Sequence, residues 1–98
     1  MSVRRYGLNF QVSKVLKVVG IISMGCRACA GLRRVLEERF EEQGYVLEFK
    51  TVVYEHDPET AETLCNEYGL DDIPSFWING VVFRVGFEDD DVKAAIQC

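Results

Sequence analysis

The sequence predicts an α/β fold whose elements follow in the order strand, helix, strand, helix, strand, strand, helix, and three observations carry the prediction. First, a run of Val, Ile and Leu from Val15 to Ile22 leads through Met24-Gly25-Cys26-Arg27-Ala28-Cys29-Ala30-Gly31 into an amphipathic helical pattern. Second, another strand-like run, Tyr45 to Tyr54, follows that helix, and strands joined by a helix pair parallel in a right-handed crossover. Third, Asn79-Gly80 stands between two β-rich runs, which favours a type I′ turn and an antiparallel pair.

Composition bounds the answer. A chain of 98 residues, 48% apolar and 28% charged, is one globular domain, and no apolar run approaches the ~20 residues of a membrane span. Arg4 and Arg5 are not followed by the apolar stretch of a secretion signal, so a cytoplasmic protein without a membrane partner is expected. The net charge of -5 and pI near 4.8 disfavour nucleic acid, whose phosphates are bound by clustered Lys and Arg.

Residues 1–13 form either an N-terminal extension or an extra strand, in which Leu8, Phe10 and Val12 alternate with Asn9, Gln11 and Ser13. Residues 14–98 form the domain proper. The first strand runs from about Lys14 to Ser23, interrupted only by Lys17 and Gly20, as expected of a strand covered on both faces. The helix from Cys26 to Gln43 places Leu32, Val35, Leu36 and Phe40 on its apolar stripe. Its outer face carries Arg33–Glu37 and Arg34–Glu38 as i,i+4 pairs, and Gly44 suits the position after its end.

In the second strand Leu47, Phe49 and Val53 share one face, opposite Glu48 and Lys50, a pattern that suits an edge position. Asp57 is the N-cap of the next helix, with Pro58 in its first turn. That helix lines up Ala61, Leu64, Cys65 and Tyr68 and stops at Gly69. Pro74 cannot donate to a ladder and belongs at the end of a sheet. Glu88-Asp89-Asp90-Asp91 opens the last helix, where acidic side chains meet the positive end of the dipole, and Val92, Ala95 and Ile96 supply its apolar face.

The chemistry concentrates at Cys26 and Cys29. Two thiols two residues apart at a helix start lie within one turn, in reach of a disulfide, and the first sits where unpaired backbone N–H groups point. A free cysteine has a pKa of about 8.5, which helix N-termini and neighbouring cations lower to ~3.5–7.5, so Cys26 beside Arg27 is a candidate nucleophile. Zinc ribbons use two C-x-x-C knuckles and this chain has one, so no metal is expected. Cys65 is expected as a buried small hydrophobe, Cys98 as a terminal thiol, His56 as a turn residue, and Trp77 and Tyr68 as core aromatics.

Three segments, Gly25-Cys26-Arg27-Ala28-Cys29, Ile73-Pro74-Ser75-Phe76 and Trp77-Ile78-Asn79-Gly80, make residues 14–97 resemble the thioredoxin superfamily, and its glutaredoxin branch most closely. The resemblance implies a thioredoxin-like four-stranded mixed sheet with helices on both faces, and a cis bond before Pro74 set against the Cys26 thiol. It implies a dithiol–disulfide oxidoreductase in which Cys26 attacks a disulfide of a protein or small molecule and Cys29 resolves the mixed disulfide. The substrate would pair with the backbone at Ile73 and Pro74. Arg27, Gly86, Asp89 and Asp90 are the further substrate-binding residues. No resident cofactor is implied; the reductant would be glutathione or a thioredoxin-reductase-type enzyme.

Departures from the pattern shape the expectation. Arg27-Ala28 stands where glutaredoxins commonly carry Pro-Tyr or Ser-Tyr, and Ser23 and Met24 stand where a cation usually precedes the first cysteine. Phe87 replaces the second Gly of a Gly-Gly pair, and its bulk is expected to obstruct the backbone there. Modest glutathione dependence is the expected result. The competing class is a non-catalytic thioredoxin-fold binding module or redox sensor.

Overall fold

A computed structural model describes residues 14–97. The possible strand over residues 8–12 and the Cys98 thiol lie outside the described residues. Strands β1 (Lys14–Ile22), β2 (Tyr45–Val53), β3 (Ser75–Ile78) and β4 (Val81–Phe83) alternate with helices α1 (Arg27–Glu42), α2 (Pro58–Tyr68) and α3 (Asp89–Gln97) in the expected order. The sheet is mixed, in the order β2-β1-β3-β4. β1 and β2 run parallel from Lys14 opposite Tyr45 to Ile22 opposite Val53, while β1 and β3 run antiparallel with Val18 opposite Ile78. The β3–β4 hairpin turns at Asn79 and Gly80, with φ of 51° and 94°, the two positive values that a type I′ turn requires. Asn79 Nδ2 then donates to the Ala95 carbonyl at 2.6 Å, tying the hairpin to α3.

Central β1 is covered on both sides because its alternating residues face two cores. Val18 packs with Leu36, Phe40, Phe76 and Phe83 under α1 and α3, and Ile21 packs with Ala61 and Leu70 under α2. Gly20 stands opposite Phe76 in the β1–β3 ladder: a Cβ built on it would overlap the Phe76 ring, so no other residue fits without moving that ring. Each helix is ended or begun by local chemistry. Gly44 and Gly69 follow α1 and α2 in the left-handed region, at φ 87° and 72°. Asp57 Oδ1 accepts from Thr60 N at 3.1 Å to cap α2, and Asp91 Oδ2 accepts from Glu88 N at 2.9 Å at the start of α3.

Four expectations need correction. Val35 is 38% exposed, because it sits on the flank of α1 that looks toward Val85 and Phe87 rather than into the sheet. The Arg33–Glu37 and Arg34–Glu38 pairs are not among the ion pairs of the described residues; Arg33 instead lies over the Phe49 ring, 4.2 Å from its centroid. Cys65 is half-buried rather than buried, since it borders a cavity between α2, Ile21 and the segment of Leu70 to Ile73. Trp77 and Tyr68 pack against the core beside α2 but are only half-buried, their rings tilted at 59° with centroids 4.9 Å apart. His56 lies exposed in the turn after β2, as expected. No helix of the described residues is long and apolar enough to cross a membrane.

Candidate active site

The site is built where β1 ends. Tyr54 N donates to the Ile22 carbonyl at 2.9 Å, carrying the β1–β2 pairing one step past the sheet, and the chain then turns through Ser23, Met24 and Gly25. Gly25 takes φ of 65°, which only glycine adopts at little cost. Both donors of that turn go to one carboxylate: Ser23 Oγ donates to Glu55 Oε2 at 2.7 Å and Met24 N donates to Oε1 at 3.0 Å. The Ser23 hydroxyl, and then the Met24 N–H, hold the Glu55 carboxyl below the usual carboxylate range. Nothing in the sequence marks Glu55, because its partners lie 31 and 32 residues away and it belongs to no local spacing.

The turn delivers Cys26 to the N-cap of α1, with φ of -86° and ψ of 106°. Its Sγ accepts from Cys29 N at 3.0 Å, taking the place that a hydroxyl or carboxylate oxygen fills at most caps. Cys26 and Cys29 are joined by a disulfide, with Cα atoms 5.3 Å apart. Their surroundings differ: Cys26 is half-buried, whereas Cys29 is 5% exposed beneath the helix. A molecule approaching from solvent therefore meets the Cys26 sulfur first.

Beside the disulfide lies a cavity of about 540 Å³ between α1 and the end of β2. Ile22 and Phe76 line it on the sheet side, Ala30 and Thr51 are its small wall residues, and Arg27 and Arg33 also line it. Its side walls are small, Thr51 on β2 and Ala30 on α1.

The remaining expected site residues are spread over three places. The Ile73–Pro74 bond is cis, and the antiparallel register that sets Ile21 opposite Ser75 brings it alongside the end of β1. Pro74 is buried, while Ile73 is exposed and borders a separate cavity of about 360 Å³ with Tyr54, Leu70 and Cys65. This segment is held by Ser75 Oγ, which donates to the Asp72 carbonyl at 2.6 Å, and by Arg84, which donates to Asp71 at 2.8 Å and Asp72 at 2.7 Å. Gly86, at φ 90°, borders a groove on the opposite flank of α1, with Ala28, Val35 and Phe87. Asp89 pairs with Arg39, and Asp90 is exposed in the first turn of α3. Arg27 thus joins the two cysteines around one cavity; Ile73, Pro74, Gly86, Asp89 and Asp90 do not line it.

Comparison with known proteins finds no matching family model, no matching curated protein and no matching solved structure.

Two details alter what the sequence pattern led one to expect. Phe87 is half-buried: its ring meets Phe83 edge-on, with centroids 5.2 Å apart, and also borders the groove beside Gly86. The Ser23–Met24 position carries a carboxylate, that of Glu55, where glutaredoxins usually have a cation. Chemically the arrangement offers a dithiol at a helix N-terminus that has no acidic residue in its first turn, so the positive end of the dipole favours a thiolate there. Among the described residues no group of three or more His, Cys, Asp or Glu is placed to hold a metal.

Proposed function

We propose that the chain is a dithiol–disulfide oxidoreductase of thioredoxin-like fold, with Cys26 as nucleophile and Cys29 as resolving thiol. The observation that carries the reading is the Cys26–Cys29 disulfide across the first turn of α1, with its outer sulfur accessible and its inner one shielded. In the reduced chain the Cys26 thiolate attacks one sulfur of a substrate disulfide and expels the other as a thiolate, which takes up a proton. Cys29 loses its proton and attacks Cys26 Sγ, releasing the second substrate thiol. The substrate gains two electrons and two protons, and the Cys26–Cys29 bond re-forms. The mixed sheet of order β2-β1-β3-β4 and the cis Ile73–Pro74 bond beside the end of β1 agree with the family resemblance.

Substrates are disulfides of proteins or small molecules, and the chain acts without a resident cofactor. Glutathione is a modest reductant for it, because the Glu55 carboxylate occupies the turn where a cation would meet a glutathione carboxylate. The test is steady-state turnover of insulin and of hydroxyethyl disulfide, driven either by glutathione with glutathione reductase or by a thioredoxin-reductase system. The reading expects turnover that Cys26→Ser abolishes, with the glutathione system the slower. Fast, saturable turnover with glutathione alone overturns the reductant assignment. Absence of turnover with either system, in a chain that stays folded, favours the binding module or redox sensor instead.

A further inference from the structure

The cavity between α1 and β2 belongs to the redox site yet lies on the flank away from Gly86, Asp89 and Asp90, so it points to a different ligand. Its apolar floor is Ile22 and Phe76, it opens next to Cys26, and among the described residues its only charged lining residues are Arg27 and Arg33. Neither arginine makes an ion pair with a carboxylate among the described residues, and α1 has no acid in its first turn to offset them. Arg33 is held in place by stacking on Phe49. Glu55, which accepts from Ser23 Oγ and Met24 N in the turn before Cys26, does not line the cavity. Two arginines lining one cavity with Ile22 and Phe76, neither in an ion pair among the described residues, on a chain of net charge -5, form a local seat for one compact anionic group with an apolar stem.

We propose that this cavity seats a small carboxylate-bearing disulfide, its methylene stem on Ile22 and Phe76, its carboxylate at Arg27 and Arg33, and one sulfur presented to Cys26. The inference rests on the oxidoreductase reading and names its substrate class. The electron flow is that of the dithiol reaction: the substrate S–S bond breaks, two substrate thiols leave with two protons, and Cys26 and Cys29 become joined.

The experiment mixes the fully reduced chain, freed of reductant, with dithiodipropionate, hydroxyethyl disulfide or cystamine, which have similar stems but carry carboxylates, hydroxyls or ammonium groups. Formation of the Cys26–Cys29 bond is followed by acid quench and mass spectrometry, and each rate is divided by that of the same disulfide with free dithiothreitol. This normalisation removes differences in leaving-group reactivity. Dithiodipropionate is expected to react about tenfold faster than hydroxyethyl disulfide, the effect of one charge-assisted contact, with cystamine slower than both. The advantage should shrink as salt is raised from about 0.01 M to about 0.5 M. In the double variant Arg27→Gln, Arg33→Gln the dithiodipropionate to hydroxyethyl ratio should fall to about one, while Arg33→Lys alone retains part of it. The ratio is the readout because losing Arg27 also changes Cys26 itself, equally for every substrate. Equal normalised rates in the wild type, a preference insensitive to salt, or a ratio unchanged in the double variant overturns the proposal. If none of the three disulfides oxidises the pair while insulin does, the proposal alone falls; if insulin also leaves Cys26 and Cys29 as thiols, the oxidoreductase reading falls and takes the proposal with it.

Discussion

At the residue scale the two cysteines share a helix turn but not an environment, and that difference carries the assignment of their roles. Cys26 was legible from its position at a helix start beside Arg27, and Cys29 from the spacing. Glu55 and Arg84, which hold the two segments flanking the dithiol, were not, because their partners are distant in sequence and a lone acid or base in a turn has no pattern to read. Brief alkylation of the reduced chain near neutral pH should label Cys26 well before Cys29, as read by peptide mass spectrometry. In the same experiment Cys29→Ser should trap a mixed disulfide through Cys26, and Cys26→Ser should trap none; labelling mainly at Cys29 or Cys65 would reverse the roles. A second expectation concerns the turn before Cys26. Placing Lys at Ser23 alone should raise glutathione-driven turnover little, because the ammonium would be taken by Glu55. Combining Ser23→Lys with Glu55→Gln should raise it several-fold, and an equal rise in the single variant would show that Glu55 does not occupy the turn.

At the scale of elements, the sequence pattern placed the bounds of β1, α1, β2 and α2 within a residue, because Val/Ile runs and an Asp-Pro cap are local signals, and the Asn-Gly turn marked the β3–β4 hairpin. Which flank of α1 each residue joins was less legible. Val35 and Phe40 are both apolar at helical spacing, yet Phe40 is fully buried under the sheet while Val35 is exposed at the groove beside Phe87. Only the packing of α3 and β4 decides between them, and that is set far along the chain. The expected consequence is a split in urea unfolding: Phe40→Ala should cost about 3–5 kcal/mol, and Val35→Ala within about 0.5 kcal/mol. Gly20→Ala should cost about 1–3 kcal/mol by driving a methyl into the Phe76 ring, although the added side chain is apolar and the strand is central. A neutral or stabilising Gly20→Ala would mean that Phe76 does not lie against that strand.

At the scale of the whole molecule, the fold brings the end of β1, the turn after β2, the start of α1 and the segment before β3 to one end of the sheet. The sequence order alone made this arrangement readable, since a parallel crossover and an antiparallel hairpin on one central strand leave few topologies. The position of the open space was not readable, because the cavity is lined jointly by Ile22, Ala30, Thr51 and Phe76, residues on four different elements. Acid stability also belongs to this scale. Glu55, Asp57 and Asp71 are each held below the ordinary carboxylate range, by Ser23, Thr60 and Arg84 first among their partners. A group depressed in the folded state stabilises it at pH above its unfolded pKa and loses that contribution as pH falls through the folded value. The urea midpoint should therefore drop between about pH 5 and about pH 2, and the combined variant Glu55→Gln, Asp57→Asn, Asp71→Asn should show a shallower drop. A wild-type midpoint that is flat across that range would contradict it.

The most direct test of the central claim is a single turnover. The fully reduced chain, stripped of reductant, is mixed with excess insulin, and its thiols are assigned by mass spectrometry as insulin disulfides are lost. Cys26 acting as nucleophile and Cys29 as resolving thiol predicts one insulin disulfide reduced per chain, with Cys26 and Cys29 joined and Cys65 still a free thiol. Insulin left intact while Cys26 and Cys29 remain thiols, or insulin reduced with the new bond made elsewhere, would contradict it.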